Sequence, residues 1–263
     1  MNPLAGKHAV VVGATGTIGA HIAQAFAAQG AVVSLLGRTA LQARTKLEPQ
    51  LAPYTASHGQ NPPSDTPTSH RFIRLDVADR ASIKHVFGPR ASQHAEQHVE
   101  TVGPLDVLVN CAGISQTTLL KRTPDEELAS IVDTNLLATM LVCKHARVRP
   151  NGCIINVSSL MATKSGLGVT AYSASKAGVV AFTRALCREV AARSIRVNAL
   201  LPGWVQSSMW DHLKPELQQA YLKDTPLNRV AHPAEVADAA VFLASNGFAN
   251  NCVLNLDGGL SAA

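Results

Sequence analysis

The sequence predicts an α/β fold: a doubly wound sheet of about seven parallel strands with helices on both faces. Three observations carry that prediction. Short apolar runs alternate with longer helix-period segments along the whole 263-residue chain. Hydrophobic residues make up 46% of it and aromatics only 4%, so the core is built from the small and branched aliphatics that suit strands buried under helices. A chain of this length also buries enough surface to fold without disulfides or metals.

The elements follow in order. His8 to Gly13 reads as a buried strand, Thr17 to Gln29 as a helix, and Ala31 to Leu36 as the next strand. Further strands fall at Phe72 to Leu75, Leu105 to Asn110, Cys153 to Val157, Arg196 to Leu201 and Cys252 to Leu256. Helical periodicity covers Ala40–Leu51, Ala81–Val102, Asp125–Arg147, Ala171–Ala192, Pro215–Lys223 and Pro233–Ala244. Regular alternation of this kind calls for right-handed crossovers. Residues 49–69 break the rhythm. Pro49, Pro53, Pro62, Pro63 and Pro67 stand among Ser, Thr, Asn and Gln, which predicts a flexible surface insertion in a single domain spanning 1–263.

The composition excludes several classes. The net charge is +5 without a run of five or six like charges, so no nucleic-acid arm is expected; the surface is mildly basic or steers an acidic substrate. No Asp, Glu, Lys or Arg lies between Lys7 and Arg38, but Gly13, Gly16, Gly19 and Gly30 interrupt the stretch, so neither a membrane span nor a signal peptide is expected. The first strand begins within ten residues of Met1, which leaves no room for a presequence. Cys111, Cys143, Cys153, Cys187 and Cys252 form no CxxC pair and are expected as buried free thiols. The ten His show no metal spacing, so no metal site is expected.

Two regions carry chemistry. Gly13, Thr15, Gly16, Thr17, Ile18 and Gly19 follow the first strand and open the first helix, a context that lets backbone N–H groups meet a pyrophosphate. A ligand-free tight turn is the plainer alternative. The second strand runs into Gly37-Arg38-Thr39 with no acid for ribose hydroxyls, and the Arg38 fork suits a 2′-phosphate, so NADP(H) is the expected cofactor; an ordinary loop arginine is the alternative.

Tyr172 and Lys176 stand four apart in a helical segment and therefore share a face. An ammonium beside a phenol favours the phenolate, so Lys176 is expected to lower the Tyr172 pKa. Ser159 ends a buried strand thirteen residues before Tyr172, where a hydroxyl can stabilise developing negative charge on a substrate oxygen; Ser158 competes for that role. Asn110, Ala112 and Gly113 end another strand, with Gly113 allowing close passage of a ligand.

Together these motifs resemble the short-chain dehydrogenase/reductase family, a Rossmann-type fold, from about Lys7 to Gly259. Within it the chain most resembles 3-oxoacyl-[acyl-carrier-protein] reductases and the related mitochondrial carbonyl reductases. The resemblance implies a catalytic set of Asn135, Ser159, Tyr172 and Lys176: Asn135 bends its helix and holds a water that relays protons from Lys176, Ser159 orients the carbonyl, Tyr172 is the acid, and Lys176 also holds the nicotinamide ribose. It places Asp76, Val77 and Asn110 on the adenosine side, and Pro202, Gly203, Val205 and Ser207 on the carboxamide side. It makes residues 204–225 a substrate lid.

The sequence departs from the family in three places. Thr17 replaces the middle glycine of the loop, Gly16 stands where a second basic residue is common, and the connection from Lys144 to Cys153 is short. Arg147, Arg149 and Arg193 are the basic residues left there to dock a carrier protein.

The implied activity is reduction of a 3-oxoacyl thioester in fatty-acid synthesis. Reduction of another ketone and a silent scaffold role are the alternatives, the last disfavoured by the complete set of four. A homotetramer is expected, with the small-residue face Ala174, Ala177, Gly178, Ala181 and Ala185 suited to close helix packing. The expected compartment is the mitochondrial matrix or the cytoplasm.

Overall fold

The computed structural model describes residues 2–55, 62–88, 100–164 and 166–262. Seven strands form one sheet: β1 His8–Val12, β2 Val32–Gly37, β3 Arg71–Arg74, β4 Leu105–Asn110, β5 Val148–Val157, β6 Arg196–Pro202 and β7 Val253–Leu256. Their spatial order is β3-β2-β1-β4-β5-β6-β7, and every pairing is parallel. The direction of winding therefore reverses between β1 and β4, which opens a crevice at the carboxyl ends of those strands.

Nine helices are described: α1 Thr17–Ala28, α2 Ala40–Leu47, α3 Arg80–Phe87, α4 Asp125–Val132, α5 Ala138–His145, α6 Thr170–Glu189, α7 Ser208–Asp211, α8 Pro215–Asp224 and α9 Pro233–Ser245. Strand alternation sorts the core into two layers. Val11, Val33, Leu35, Val109 and Ile155 meet Ile22 and Phe26 of α1 and Val236 and Leu243 of α9. Val10, Val12, Leu36, Leu108 and Ile154 meet Ile83 of α3, Val142 of α5 and Cys187 of α6 on the opposite face. Both faces are covered, which explains why the strands read as unbroken apolar runs.

Several expectations need correction. The helix expected over Ala81–Val102 stops at Phe87. Gly88 takes φ −69°, ψ 175°, and Pro89 follows it in the sequence; a proline disfavours helical geometry in the residue before it. The remainder of that segment, 89–99, lies outside the described residues. The strand expected from Cys153 begins at Val148. Leu105 pairs with Val148 while Val107 pairs with Cys153, so Arg149–Gly152 bulge out, with Asn151 at φ 62°.

The insertion at 49–69 is anchored on both flanks of 56–61, which are not described. His70 Nε2 bonds the Ala52 carbonyl and Asp65 pairs with Arg149, while Thr66 is buried. Of the five thiols, only Cys153 and Cys187 are fully buried, and Cys111, Cys143 and Cys252 are half-buried.

A closed polar knot underlies the amino-terminal side of the sheet. His8 is fully buried; its backbone N–H donates to Asp106 Oδ2 at 2.8 Å. Its Nδ1 lies 2.7 Å from the Pro104 carbonyl and its Nε2 lies 2.8 Å from Ser34 Oγ. A carbonyl only accepts, so Nδ1 carries the proton and Nε2 accepts from Ser34. Burial is the main reason that the His8 pKa falls to about 4. Arg149 bonds Asp106 Oδ2 at 2.9 Å and also pairs with Asp65, tying the insertion to β4.

Candidate active site

The glycine loop is built into the crevice. Gly13 N and Ala14 N both donate to the Leu36 carbonyl, at 2.8 and 3.0 Å, which lays the loop across the end of β2. Gly13 has φ +84°, and a Cβ there would stand 2.6 Å from Ala112 N. A Cβ on Gly19 would stand 2.3 Å from the Gly13 carbonyl oxygen, so helix and loop meet at a distance only glycine permits. A Cβ on Gly16 would meet only the Gly13 oxygen, at 3.5 Å. Gly13 and Gly19 are thus demanded by packing, and Gly16 is not.

These residues fit a dinucleotide. Gly16 precedes α1 with no side-chain cap on its first turn and no acid within it, which suits an anion at the helix end. Thr15 packs over Gly37; Arg38 and Thr39 are exposed just beyond β2. Arg38 has no ion-pair partner among the described residues. Val77, Asn110 and Ala112 line a small cavity of about 10 Å³ with Val12 and Thr139. Asp76 turns a carboxylate oxygen to its own loop, accepting from Ala78 N at 3.0 Å. The Asn110 amide nitrogen bonds Asn156 Oδ1 at 2.9 Å, while its buried Oδ1 has no partner. Pro202 ends β6 and Gly203 follows it, where a Cβ on Gly203 would stand 2.8 Å from Asp257 Cα.

Across the crevice, α6 brings Tyr172 and Lys176 onto one face, with Lys176 Nζ 5.8 Å from the centre of the Tyr172 ring. Lys176 is buried and donates to the Val157 carbonyl at 3.0 Å; burial lowers its pKa to about 8. Burial raises the Tyr172 pKa, and a hydrogen bond with Ser159 opposes that rise. The expectation that Lys176 lowers the phenol pKa is not met: burial raises it, and the lowering influence comes from Ser159. Ser158 donates to the Lys176 carbonyl at 2.8 Å, so its hydroxyl is spent on α6, which leaves Ser159 as the one beside Tyr172.

Asn135 lies in a π-helical turn, Asp133–Leu137, between α4 and α5, where the Ala138 N–H reaches back to the Asp133 carbonyl. The bend expected at this residue is this turn. The Asn135 amide grips Ile114 twice, accepting from its N–H at 2.8 Å and donating to its carbonyl at 2.9 Å, and also donates to Ser175 Oγ at 3.1 Å. Gly113 lies between Asn135 and Lys176: a Cβ there would stand 3.1 Å from Asn135 Oδ1 and 3.3 Å from Lys176 Nζ.

The wall at residues 204–225 is an aromatic stack. Trp204 stacks on Tyr221 of α8 at 4.3 Å and tilts against Trp210 of α7 at 5.7 Å. Ser207 Oγ accepts from Trp210 N and donates to the Val205 carbonyl at 3.0 Å, making it the cap of α7. Val205 itself is fixed by a bridge to Ala231. The basic residues expected to dock a carrier are largely spoken for. Arg149 serves the polar knot, and Arg193 bonds the Val148 carbonyl.

Sequence reasoning missed Gln116. Its oxygen accepts from Ala171 N at 2.8 Å and Tyr172 N at 3.3 Å, and no motif or periodicity links residues so far apart in the chain.

A glycine turn at the switch point of a doubly wound sheet, facing a buried lysine and a phenol, defines a dinucleotide-dependent oxidoreductase site. Residues 13–261 match the family model described as enoyl-(acyl carrier protein) reductase. The chain is 37% identical over 258 residues to the 3-oxoacyl-[acyl-carrier-protein] reductase of Mus musculus, covering 97% of this chain and 98% of that one. It is 35% identical over 265 residues to the reductase of the same name from Chlamydia muridarum, covering 98% of each. A solved structure from Agrobacterium tumefaciens, assigned as a 2-deoxy-D-gluconate 3-dehydrogenase with bound NADP, superposes with a TM-score of 0.82 at 27% identity, covering 99% of this chain and 98% of that one. The chain belongs to the short-chain dehydrogenase/reductase family. It is an NAD(P)-dependent oxidoreductase acting on CH–OH and C=O groups.

Proposed function

We propose that this protein reduces a 3-oxoacyl thioester, on an acyl-carrier protein or coenzyme A, to the 3-hydroxyacyl form with NADPH, as a step of fatty-acid synthesis. The observation that carries the reading is the placement of Ser159, Tyr172 and Lys176 at the carboxyl edge of the sheet, in a chain whose relatives bear that name. A nicotinamide cofactor held over the glycine loop of residues 13–19 would supply the hydride. Tyr172 donates its phenol proton to the carbonyl oxygen as that oxygen gains negative charge, and Ser159 donates a hydrogen bond to the same atom. Lys176 keeps a positive charge close to the resulting phenolate. Asn135 acts as a clamp on the strand-end loop that carries Gly113, with its amide occupied by Ile114 and Ser175. Arg38, exposed at the end of β2 and free of ion pairs among the described residues, supports a preference for the 2′-phosphate of NADPH.

A second reading, reduction of a different ketone, is favoured by one observation. Arg149 and Arg193, two of the three basic residues available for carrier docking, are engaged inside the chain. Rates of NADPH oxidation at 340 nm with acetoacetyl-CoA, a carrier-bound 3-oxoacyl group and unrelated ketones separate the two. Faster turnover of the thioesters supports the first reading, and turnover of the simple ketones alone replaces it with the second.

The exposed Ala174, Ala177, Ala181 and Ala185 on α6 support assembly into a homotetramer, which light scattering tests by mass. Gly178 of the same helix is used within the chain, packed against Leu136.

A further inference from the structure

We infer that Gln116 is a positioning residue for the reaction: it closes the amino-terminal end of α6 from outside the helix and so sets where Tyr172 stands. The inference rests on Tyr172 being the proton donor. Helix α6 begins without a cap of its own, since Val169 precedes it and supplies no side-chain acceptor, and no acid lies in the first turn. Two of the N–H groups left without partners, those of Ala171 and Tyr172, are taken by a single oxygen, Gln116 Oε1, at 2.8 and 3.3 Å. One of them belongs to the reacting residue itself.

Gln116 is 2% exposed, and its nitrogen is also committed, donating to the Thr118 carbonyl and to Thr123 Oγ1, each at 3.0 Å. Thr123 Oγ1 in turn lies 2.7 Å from Thr118 Oγ1. The amide therefore has no freedom to swing, and its oxygen is held at the helix end by its own donor bonds. The segment that carries Gln116 also carries Ile114, gripped twice by Asn135, and Gly113, which lies against Lys176. One stretch, 113–123, thus sets the height of Tyr172 on one side and borders Lys176 on the other. Proton transfer needs both groups in register, and misplacement by about 1 Å costs up to about a hundred-fold in rate.

The test uses the full-length protein with Gln116→Met, which removes the acceptor at similar volume, and Gln116→Glu, which keeps it. A carboxylate is favourable at a helix amino terminus, and the Thr123 hydroxyl can turn to donate to it. The oxygen replacing Nε2 loses the bond to the Thr118 carbonyl, a cost read in stability and not in kcat per folded molecule. Three quantities are read: kcat for NADPH-dependent reduction of acetoacetyl-CoA, the NADPH Kd, and amide exchange of a peptide covering residues 169–175. Gln116→Met is expected to lose about ten- to a hundred-fold in kcat with NADPH Kd changed less than about two-fold, and to exchange faster across that peptide. Gln116→Glu is expected to return kcat to within about five-fold of the parent and to restore protection. Parental kcat and exchange in Gln116→Met, or a Glu variant as impaired as the Met variant, would overturn the assignment. So would a kcat loss matched by an equal loss of NADPH affinity. If Gln116→Met does not fold, Gln116→Glu decides alone: near-parental kcat upholds the role, and a rate as low as that of Tyr172→Phe refutes it. A parent protein inactive on both acetoacetyl-CoA and a carrier-bound 3-oxoacyl group sinks the thioester reading instead, and exchange at 169–175 then decides the Gln116 role by itself.

Discussion

The two ends of the sheet both carry charged groups and treat them in opposite ways. Below the amino-terminal ends of the strands, His8, Ser34, Asp106 and Arg149 form one hydrogen-bonded network that extends to the Pro104 carbonyl, Asp65 and Arg71. At the carboxyl edge, Lys176 is buried on nothing more than a backbone carbonyl, with no carboxylate within ion-pair distance among the described residues. The first turn of α1 has no side-chain cap, and Arg38 has no ion-pair partner among the described residues. Charges that satisfy one another hold a fold together; charges left facing a crevice wait for a ligand. A cation paired with a carboxylate therefore means stability at one end, and a cation without one means chemistry at the other.

The comparison can be broken at several points. Asp106→Ala leaves the His8 N–H without an acceptor and Arg149 with Asp65 as its remaining carboxylate, and the expected cost is about 1–3 kcal/mol in denaturant unfolding, with kcat per folded molecule unchanged. A loss of activity without a loss of stability would show that the floor also serves catalysis. Arg38→Ala is expected to weaken NADPH binding about ten- to a hundred-fold and to leave NADH binding within about two-fold, read by fluorescence titration of both cofactors. Equal losses for both would remove Arg38 from the 2′-phosphate.

His8 gives a subtler signal. Its folded pKa of about 4 lies below the unfolded value of 6.5, so the unfolded chain takes up a proton first as pH falls. The stability held above pH 6.5 is then lost towards pH 4, by about 2 kcal/mol at pH 5. Urea unfolding from pH 7.5 to pH 5 reads this directly, and His8→Gln should flatten the dependence by that amount.

What the sequence made legible was whatever is local. The seven strands, the glycine turn and the i, i+4 placement of Tyr172 and Lys176 are patterns within a few residues, and each was found close to where it was expected. The bulge at Arg149–Gly152 also had a local signal, Pro150-Asn151-Gly152, a turn sequence overlooked because the neighbouring apolar run began only at Cys153. Gly88-Pro89 likewise marked the end of α3. By contrast, Gln116 meets α6 only after the sheet has assembled, and Arg149 finds Asp65 and Asp106 only across the floor. The phenol pKa depended on burial, which a four-residue spacing does not report.

The central claim is that Tyr172 is the proton donor at a site whose cofactor binding does not depend on its hydroxyl. The most direct measurement is kcat for NADPH-dependent reduction of acetoacetyl-CoA by Tyr172→Phe, with the NADPH Kd of the same sample. The account predicts a fall of about 10²–10⁴ in kcat with Kd within about two-fold of the parent. A Tyr172→Phe protein that turns over at the parental rate would contradict it.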